Sequence, residues 1–179
     1  MSIKPWKGQI AEPENHNPVN KDAPDASYQI GWAYGYRGFD ARNNIHHNDQ
    51  GCLVYTTAAI GVIYDPNSHT QKYFGGGEVE DKAKNVSNDL NCHTDDIMCL
   101  AICGKGHVCL SGQNGSAPVA FLWDARSGQK LQRFKLPKGR RGVRACAVSC
   151  DGARSVVVDV HNDHYVTCYD NASGNMLWS

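Results

Sequence analysis

Long apolar runs are missing from this chain of 179 residues, and nothing in it approaches the roughly 20 consecutive apolar residues that a bilayer-spanning helix requires. An excess of charge of either sign is also missing. Eighteen Lys+Arg face eighteen Asp+Glu, for a formal net charge of zero, so no global field draws the whole chain onto nucleic acid or an anionic membrane. Charge-driven binding must therefore be local, and neither partner class is expected. The start of the chain has Pro5 and no apolar core, unlike a secretory signal, which predicts a cytosolic protein. In that setting the eight cysteines are expected to be reduced thiols acting as small buried hydrophobes. No C-x2-C knuckle occurs; Cys99/Cys103 and Cys146/Cys150 are spaced C-x3-C, which does not suit a zinc site. Gly-x-Ser-x-Gly, His-Glu-x-x-His and a phosphate-cradling Gly-x4-Gly-Lys-Ser/Thr are absent too, so the chain is not expected to be an enzyme.

Length and a 41% hydrophobic content suit one domain with an ordinary core. Four of the seven prolines, Pro5, Pro13, Pro18 and Pro24, fall in residues 1–28. Proline at that density sustains neither helix nor ladder, so this part is expected to be an extended arm, either a disordered tail or a strap anchored in a partner's groove by Trp6. Residues 29–179 read differently. Short runs rich in Val, Ile, Tyr and Thr, fenced by Gly, Asn, Asp or Ser, recur from Cys52 to Asp170, and no segment keeps helical periodicity. The class expected is all-β.

Self-similarity sharpens this. A shift of 46 places Ile97 on Val143, Gly106 on Gly152, Asp124 on Asp170, Ser127-Gly128 on Ser173-Gly174 and Leu131 on Leu177 without a gap. Trp123-Asp124 thereby matches Tyr169-Asp170, and Tyr64-Asp65 echoes both, 59 residues before Trp123. A period near 40–45 with an aromatic-Asp pair closing the third strand of each unit is the mark of a WD-repeat β-propeller. The Asp and the Ser-Gly should turn the chain into the outer strand, and the aromatic should pack between blades. Only about three blades fit, and propellers have four to eight, so a partial ring is expected, with the remaining blades lying beyond residue 179 or supplied from elsewhere. The strand at Met176–Trp178 should then carry an open edge. Between Gly75 and Cys92 lies a Gly-, Asn- and acid-rich insert, expected to be a mobile surface loop.

Ahead of the repeats stands Trp32-Ala33-Tyr34-Gly35-Tyr36-Arg37-Gly38-Phe39-Asp40-Ala41-Arg42-Asn43-Asn44. This resembles the HELP motif of the echinoderm microtubule-associated protein-like (EMAP-like) family. The likeness continues through Val54-Tyr55, Gly61-Val62, Thr70–Phe74, His93–Ile97 and Ser111–Gln113, and covers roughly residues 28–179. Trp32, Tyr34, Gly35, Tyr36, Arg37, Gly38, Arg42 and Asn43 form the heart of the motif, and its four rings, Trp32, Tyr34, Tyr36 and Phe39, are expected to be core. The resemblance implies a tandem propeller that binds tubulin and microtubules, in the cytoplasm and cytoskeleton, and allows other axonemal proteins as partners. The leader, Lys4 to Gly8 with Pro18 to Lys21, resembles that of EMAP-like proteins from protist cilia and tilts the expected location to the ciliary or flagellar axoneme. A WD-repeat scaffold for signalling or ubiquitin-ligase partners is the alternative. One departure stands out: regular WD blades carry a hydrogen-bonded His, Ser/Thr, Asp, Trp set, and here His93, Ser111 and Trp123 lack the Asp, which predicts looser blades.

Candidate sites follow. Eight basic residues and no acidic one lie between Ala125 and Cys150: Arg126, Lys130, Arg133, Lys135, Lys138, Arg140, Arg141 and Arg144. Such a run is either a solvated face or a docking surface, and under the resemblance Lys135, Lys138, Arg140, Arg141 and Arg144, together with Trp6, are the candidate tubulin contacts. His161-Asn162-Asp163-His164 and His46-His47 read as hairpin tips rather than metal ligands. No catalytic, cofactor or metal residue is assigned.

Overall fold

A computed structural model describes residues 8, 11, 13–15, 17, 18, 20–22, 29–76, 91–115, 118–136, 141–160 and 164–179. Trp6, Lys138, Arg140, most of the Gly75–Cys92 insert and His161–Asp163 lie outside the described residues. Those of the arm that are described are exposed and belong to no strand.

Among the described residues, twelve strands make three separate four-stranded antiparallel sheets, each in simple meander order. The first blade contains β1 (Ile45–His47), β2 (Leu53–Thr57), β3 (Ile60–Asp65) and β4 (Thr70–Phe74). The second contains β5 (Ile97–Ile102), β6 (Val108–Gln113), β7 (Val119–Asp124) and β8 (Lys130–Lys135). The third contains β9 (Val143–Val148), β10 (Arg154–Asp159), β11 (Val166–Asp170) and β12 (Met176–Trp178). This is an unclosed propeller of three blades, as the repeat predicts.

The gapless register is visible in the hydrogen bonds themselves. Cys103 N–H to Val108 C=O, Asp124 N–H to Gln129 C=O and Gly128 N–H to Asp124 C=O reappear 46 positions on at Ser149/Arg154, Asp170/Asn175 and Gly174/Asp170, all at 2.8–2.9 Å. Each third strand ends in an Asp whose carboxylate organises the turn. Asp65 accepts from Asn67 N and Ser68 Oγ, Asp124 from Ser127 N and Oγ, and Asp170 from Ser173 N and Oγ. The Ser hydroxyl holds the Asp65 and Asp170 carboxyls below the usual carboxylate range. The residue after the Ser is left-handed in all three turns: Gly128 and Gly174 at φ 75° and 72°, and His69 at 52° in the first blade.

The middle blade shows why such sheets stack. Along β6 and β7 side chains alternate between two faces, and both faces are apolar. Cys109, Val119, Phe121 and Trp123 join Val54, Ile63 and Phe74 in one core between blades one and two. Leu110, Ala120 and Leu122 join Phe134, Val143, Val157 and Tyr169 in another between blades two and three. Phe74 of β4 lies flat on Trp123, centroids 5.2 Å apart and planes 6° apart, and Phe134 of β8 stacks likewise on Tyr169 at 4.6 Å and 29°. The aromatics before Asp124 and Asp170 are thus each covered by a ring from the preceding blade's outer strand. Gly61 leaves the space for this, since a Cβ there would sit 2.9 Å from the Trp123 ring.

The expected gap in the polar network is filled. His93 is buried; its Nδ1 pairs with Gln113 Oε1 at 2.8 Å and its Nε2 with Ser111 Oγ at 2.7 Å, while Trp123 Nε1 donates to the same Oγ at 3.0 Å. Thr94 N–H also points at Gln113 Oε1, which fixes that atom as the acceptor and puts the His93 proton on Nδ1. Gln113 therefore takes the place expected for an Asp, and a neutral acceptor suits a neutral ring. The third blade does without the set: the 46-residue shift puts Val157 and Tyr169 at the Ser111 and Trp123 positions. Among the described residues every cysteine is a free thiol, and burial pushes the Cys109 thiol up.

Two predictions follow from this packing. Burial lowers His93 from 6.5 to about 4, so below pH 6.5 the unfolded chain takes up a proton that the native state refuses. Stability should fall between pH 6.5 and 4 by up to about 3 kcal/mol, and a His93→Gln variant, less stable at pH 7, should lose that slope in denaturant titrations. An unchanged slope in the variant would contradict the buried neutral imidazole. Gly128 and Gly174 share a left-handed φ, but a Cβ on Gly128 would strike the Tyr73 carbonyl of the first blade, whereas one on Gly174 meets only the mobile end of Gln132. Gly174→Ala should cost about 1 kcal/mol and Gly128→Ala about 2–4 kcal/mol, compared by thermal melting. Equal costs would mean that the turn does not bear on its neighbour.

Candidate functional site

The HELP segment runs without secondary structure from Gly31 to Asn44 and lies on the face of the first blade that blade two does not cover. The alternation of β3 and β4 that sends Ile63 and Phe74 toward blade two sends Tyr64, Gln71 and Tyr73 the other way. Trp32 meets Tyr64 edge-on at 6.1 Å and His69 at 4.9 Å. Tyr64 is the aromatic before Asp65, so Trp32 covers the first blade's closing ring much as Phe74 and Phe134 cover those of blades two and three. The neighbouring backbone is clipped by one side chain: Gln71 accepts from Ala33 N–H at 2.9 Å and donates to Ala33 C=O at 3.1 Å. Tyr73 and Tyr55 hydroxyls hold the Gln71 amide in place at 2.7 and 3.2 Å.

Further along, Gly35 at φ 93° lets the chain turn, and the Tyr36 hydroxyl donates to Asn44 Oδ1 at 2.6 Å while Asn44 Nδ2 donates to Arg37 C=O at 2.6 Å. Arg37 then reaches across to the second blade, pairing with Asp40 at 2.7 Å and with Asp96, just before β5, at 2.8 Å. These hydrogen bonds, Asp40 first, raise the Arg37 guanidinium still further and hold Asp40 below its ordinary range. Among the described residues, Arg42 donates to the Ala41 and Gly38 carbonyls. Asn43 sits at φ 52° and places His46 Nε2 3.0 Å from its carbonyl.

The four rings do not all become core. Trp32 is half-buried and Tyr36 is 48% exposed, while Tyr34 and Phe39 are each 83% exposed. An extended segment laid on a sheet can turn only some of its side chains inward, and here Ala33, Ala41 and Asn44 take those positions. Gln71 and Asn44, which lock the segment, both lie in the stretches that carry the family resemblance, but nothing in their residue type marks this locking role.

The basic run is likewise divided. Arg126 pairs with Asp49 of the first blade, and Lys130, which donates to Asn91, begins β8. Lys135 ends β8 about 17 Å away at 3.3–3.4 Å per residue. Arg133 lies between, partly buried, its guanidinium 6.0 Å from the centre of the Phe121 ring. Lys135, Arg141 and Arg144 are exposed on the side of the β8–β9 connection. Arg144, on β9, shares a cavity of about 290 Å³ with Asp40, Ala41, Arg42 and Asn43, so one member of the basic run meets one member of the HELP motif. His164, left-handed at φ 45°, has Nδ1 3.3 Å from the Asp159 carbonyl, and among the described residues no group of three His, Cys, Asp or Glu is placed to hold a metal.

Residues 23–62 match the HELP motif family. The chain is 41% identical over 177 residues to the ciliary WD repeat-containing protein ctxp80 of Euplotoides octocarinatus, a match covering 99% of this chain and 25% of that protein. It is 33% identical over 164 residues to the echinoderm microtubule-associated protein-like 3 of Homo sapiens, covering 86% of this chain and 17% of the other. With the Xenopus laevis protein-like 4 the figures are 28%, 88% and 16%. The chain thus spans a quarter or less of the length of these relatives. Among solved structures, the Cps50 (Swd1) β-propeller domain of Myceliophteria thermophila superposes with a TM-score of 0.54 at 14% identity, over 75% of this chain and 36% of that one, a likeness of fold alone. Motif, repeat and relatives together mark the chain as a HELP-motif, WD-repeat relative of the EMAP-like proteins.

Proposed function

We propose that the chain builds part of a microtubule-attaching propeller protein of the cytoskeleton, at the axoneme of a cilium or flagellum, and that it works by adsorption rather than catalysis. The observation that carries this reading is the likeness along 99% of the chain to a ciliary WD-repeat protein, joined to a HELP segment seated on the first blade. Rigid blades would present loops to tubulin, and Lys135, Lys138, Arg140, Arg141 and Arg144 would meet its acidic surface, where opposite fields speed and orient docking. Residues 1–28 would act as a strap, with Trp6 as its anchor in a groove of a neighbouring subunit. Residues 29–179 would be the opening part of a propeller whose further blades complete the ring. Each blade's apolar flank gives the physical reason, since a sheet with two greasy faces needs a neighbour on both.

Microtubule co-sedimentation of the full-length protein with Lys138→Glu, Arg140→Glu and Arg141→Glu together is the test. The triple variant should bind about tenfold more weakly, and wild-type binding should weaken as salt rises. Unchanged, salt-insensitive pelleting would refute the basic loop as the contact.

A further inference from the structure

We infer that the cavity between the HELP segment and the innermost strands is a binding site for an acidic, extended polypeptide segment whose carboxylates are taken by Arg42 and Arg144. The cavity, about 290 Å³, has residues 40–43 on one side and Met98–Leu100 of β5 with Arg144–Cys146 of β9 on the other. Two arginines, from segments a hundred residues apart in the chain, therefore line it.

Two other arginines of the first-blade surroundings are already committed to carboxylates. Arg37 is taken by Asp40 and Asp96, and Arg126 by Asp49. Arg42 gives its hydrogen bonds to two backbone carbonyls, and among the described residues no carboxylate stands within ion-pair distance of Arg42 or Arg144. Asp40 is the acid on the cavity wall, and both of its oxygens are held by Arg37, at 2.8 and 2.7 Å. The wall thus offers two arginines without an ion-pair partner, Arg42 with one terminal nitrogen turned to backbone carbonyls, beside one acid already held by Arg37, which favours a carboxylate ligand.

The floor adds a preference for an extended chain. β5 and β9 are edge strands, each paired on one side alone, with β6 and β10. Edge strands offer unpaired main-chain N–H and C=O groups, to which an extended peptide can add. The cavity sits at the small end of ligand sites, about 300–1,000 Å³, and so suits a few side chains of a peptide rather than a folded domain. Arg144 also belongs to the proposed tubulin contact, so the identity of the peptide's owner rests on that reading; the binding itself does not.

The test uses a fluorescein-labelled oligoglutamate peptide, with an oligoglutamine peptide of equal length as control, titrated by fluorescence anisotropy against the full-length protein and its Arg42→Ala, Arg144→Ala and Arg144→Lys variants. The oligoglutamate should bind and the oligoglutamine should not. Each alanine variant should lose about tenfold or more in affinity, Arg144→Lys should retain part of it, and Arg154→Ala, an exposed arginine at the start of β10, should stay within about twofold of wild type. Thermal melting of each variant shows that the fold is kept. Failure of the oligoglutamate to bind, equal binding of both peptides, equal loss in Arg154→Ala, or no loss in Arg42→Ala and Arg144→Ala would each overturn the site. A variant that loses the peptide yet still pellets with microtubules would uphold the site and separate it from the tubulin contact.

Discussion

The contact on which the blades depend is a ring laid over a ring. Trp123 lies under Phe74 and Tyr169 under Phe134, and each pair joins the third strand of one sheet to the outer strand of the sheet before it. Burying such a side chain contributes about 1.5–3 kcal/mol, and aromatic packing adds about 0.5–1.5 kcal/mol, large against what any single turn in this chain supplies. Polar groups are then fitted around the stack. The His93–Ser111–Trp123 network holds the edge of the Trp123 ring, and burial in that setting keeps His93 neutral. Turn and stack are linked, because the Asp that ends the strand fixes the hairpin that returns the next aromatic to its place.

Seen in this way, the HELP segment answers a structural need of the first blade. Tyr64 faces away from blade two, and beyond His69 of its own turn it is Trp32 that covers it. The Gln71 amide then fastens the segment's backbone as a strand partner would, although no strand forms. Arg37 carries the same segment across to Asp96 at the entrance of the second blade. One irregular stretch therefore touches two blades, and in passing it brings Arg42 over the inner strands and next to Arg144.

Much of the fold was legible because it is written in short-range chemistry. Strands β2, β3, β5–β7 and β9–β11 stand out as β-branched runs, and the Asp-x-x-Ser turn announces itself in three copies, two of them followed by Gly. The outer strands are different. Thr70-Gln71-Lys72 and Lys130 to Lys135 are too polar to signal a strand; the 46-residue register points to the second, and the family resemblance through Thr70–Phe74 to the first. Other features depended on three-dimensional placement. Gln113 stands in for an Asp, since a buried imidazole asks only for an acceptor. Tyr34 and Phe39 point outward because an extended chain over a sheet cannot bury every side chain. The basic run looks continuous in the sequence, yet β8 is long enough to carry Lys130 and Lys135 to opposite ends of a blade.

Hydrogen–deuterium exchange of a Trp32→Ala variant tests most directly the claim that each blade is held by the ring covering its closing aromatic. Loss of that ring should speed exchange in β3 and β4, around Tyr64 and Gln71, while β10 and β11, whose Tyr169 remains under Phe134, keep their protection. Unaltered exchange in the first blade, or a uniform rise across all three, would contradict it.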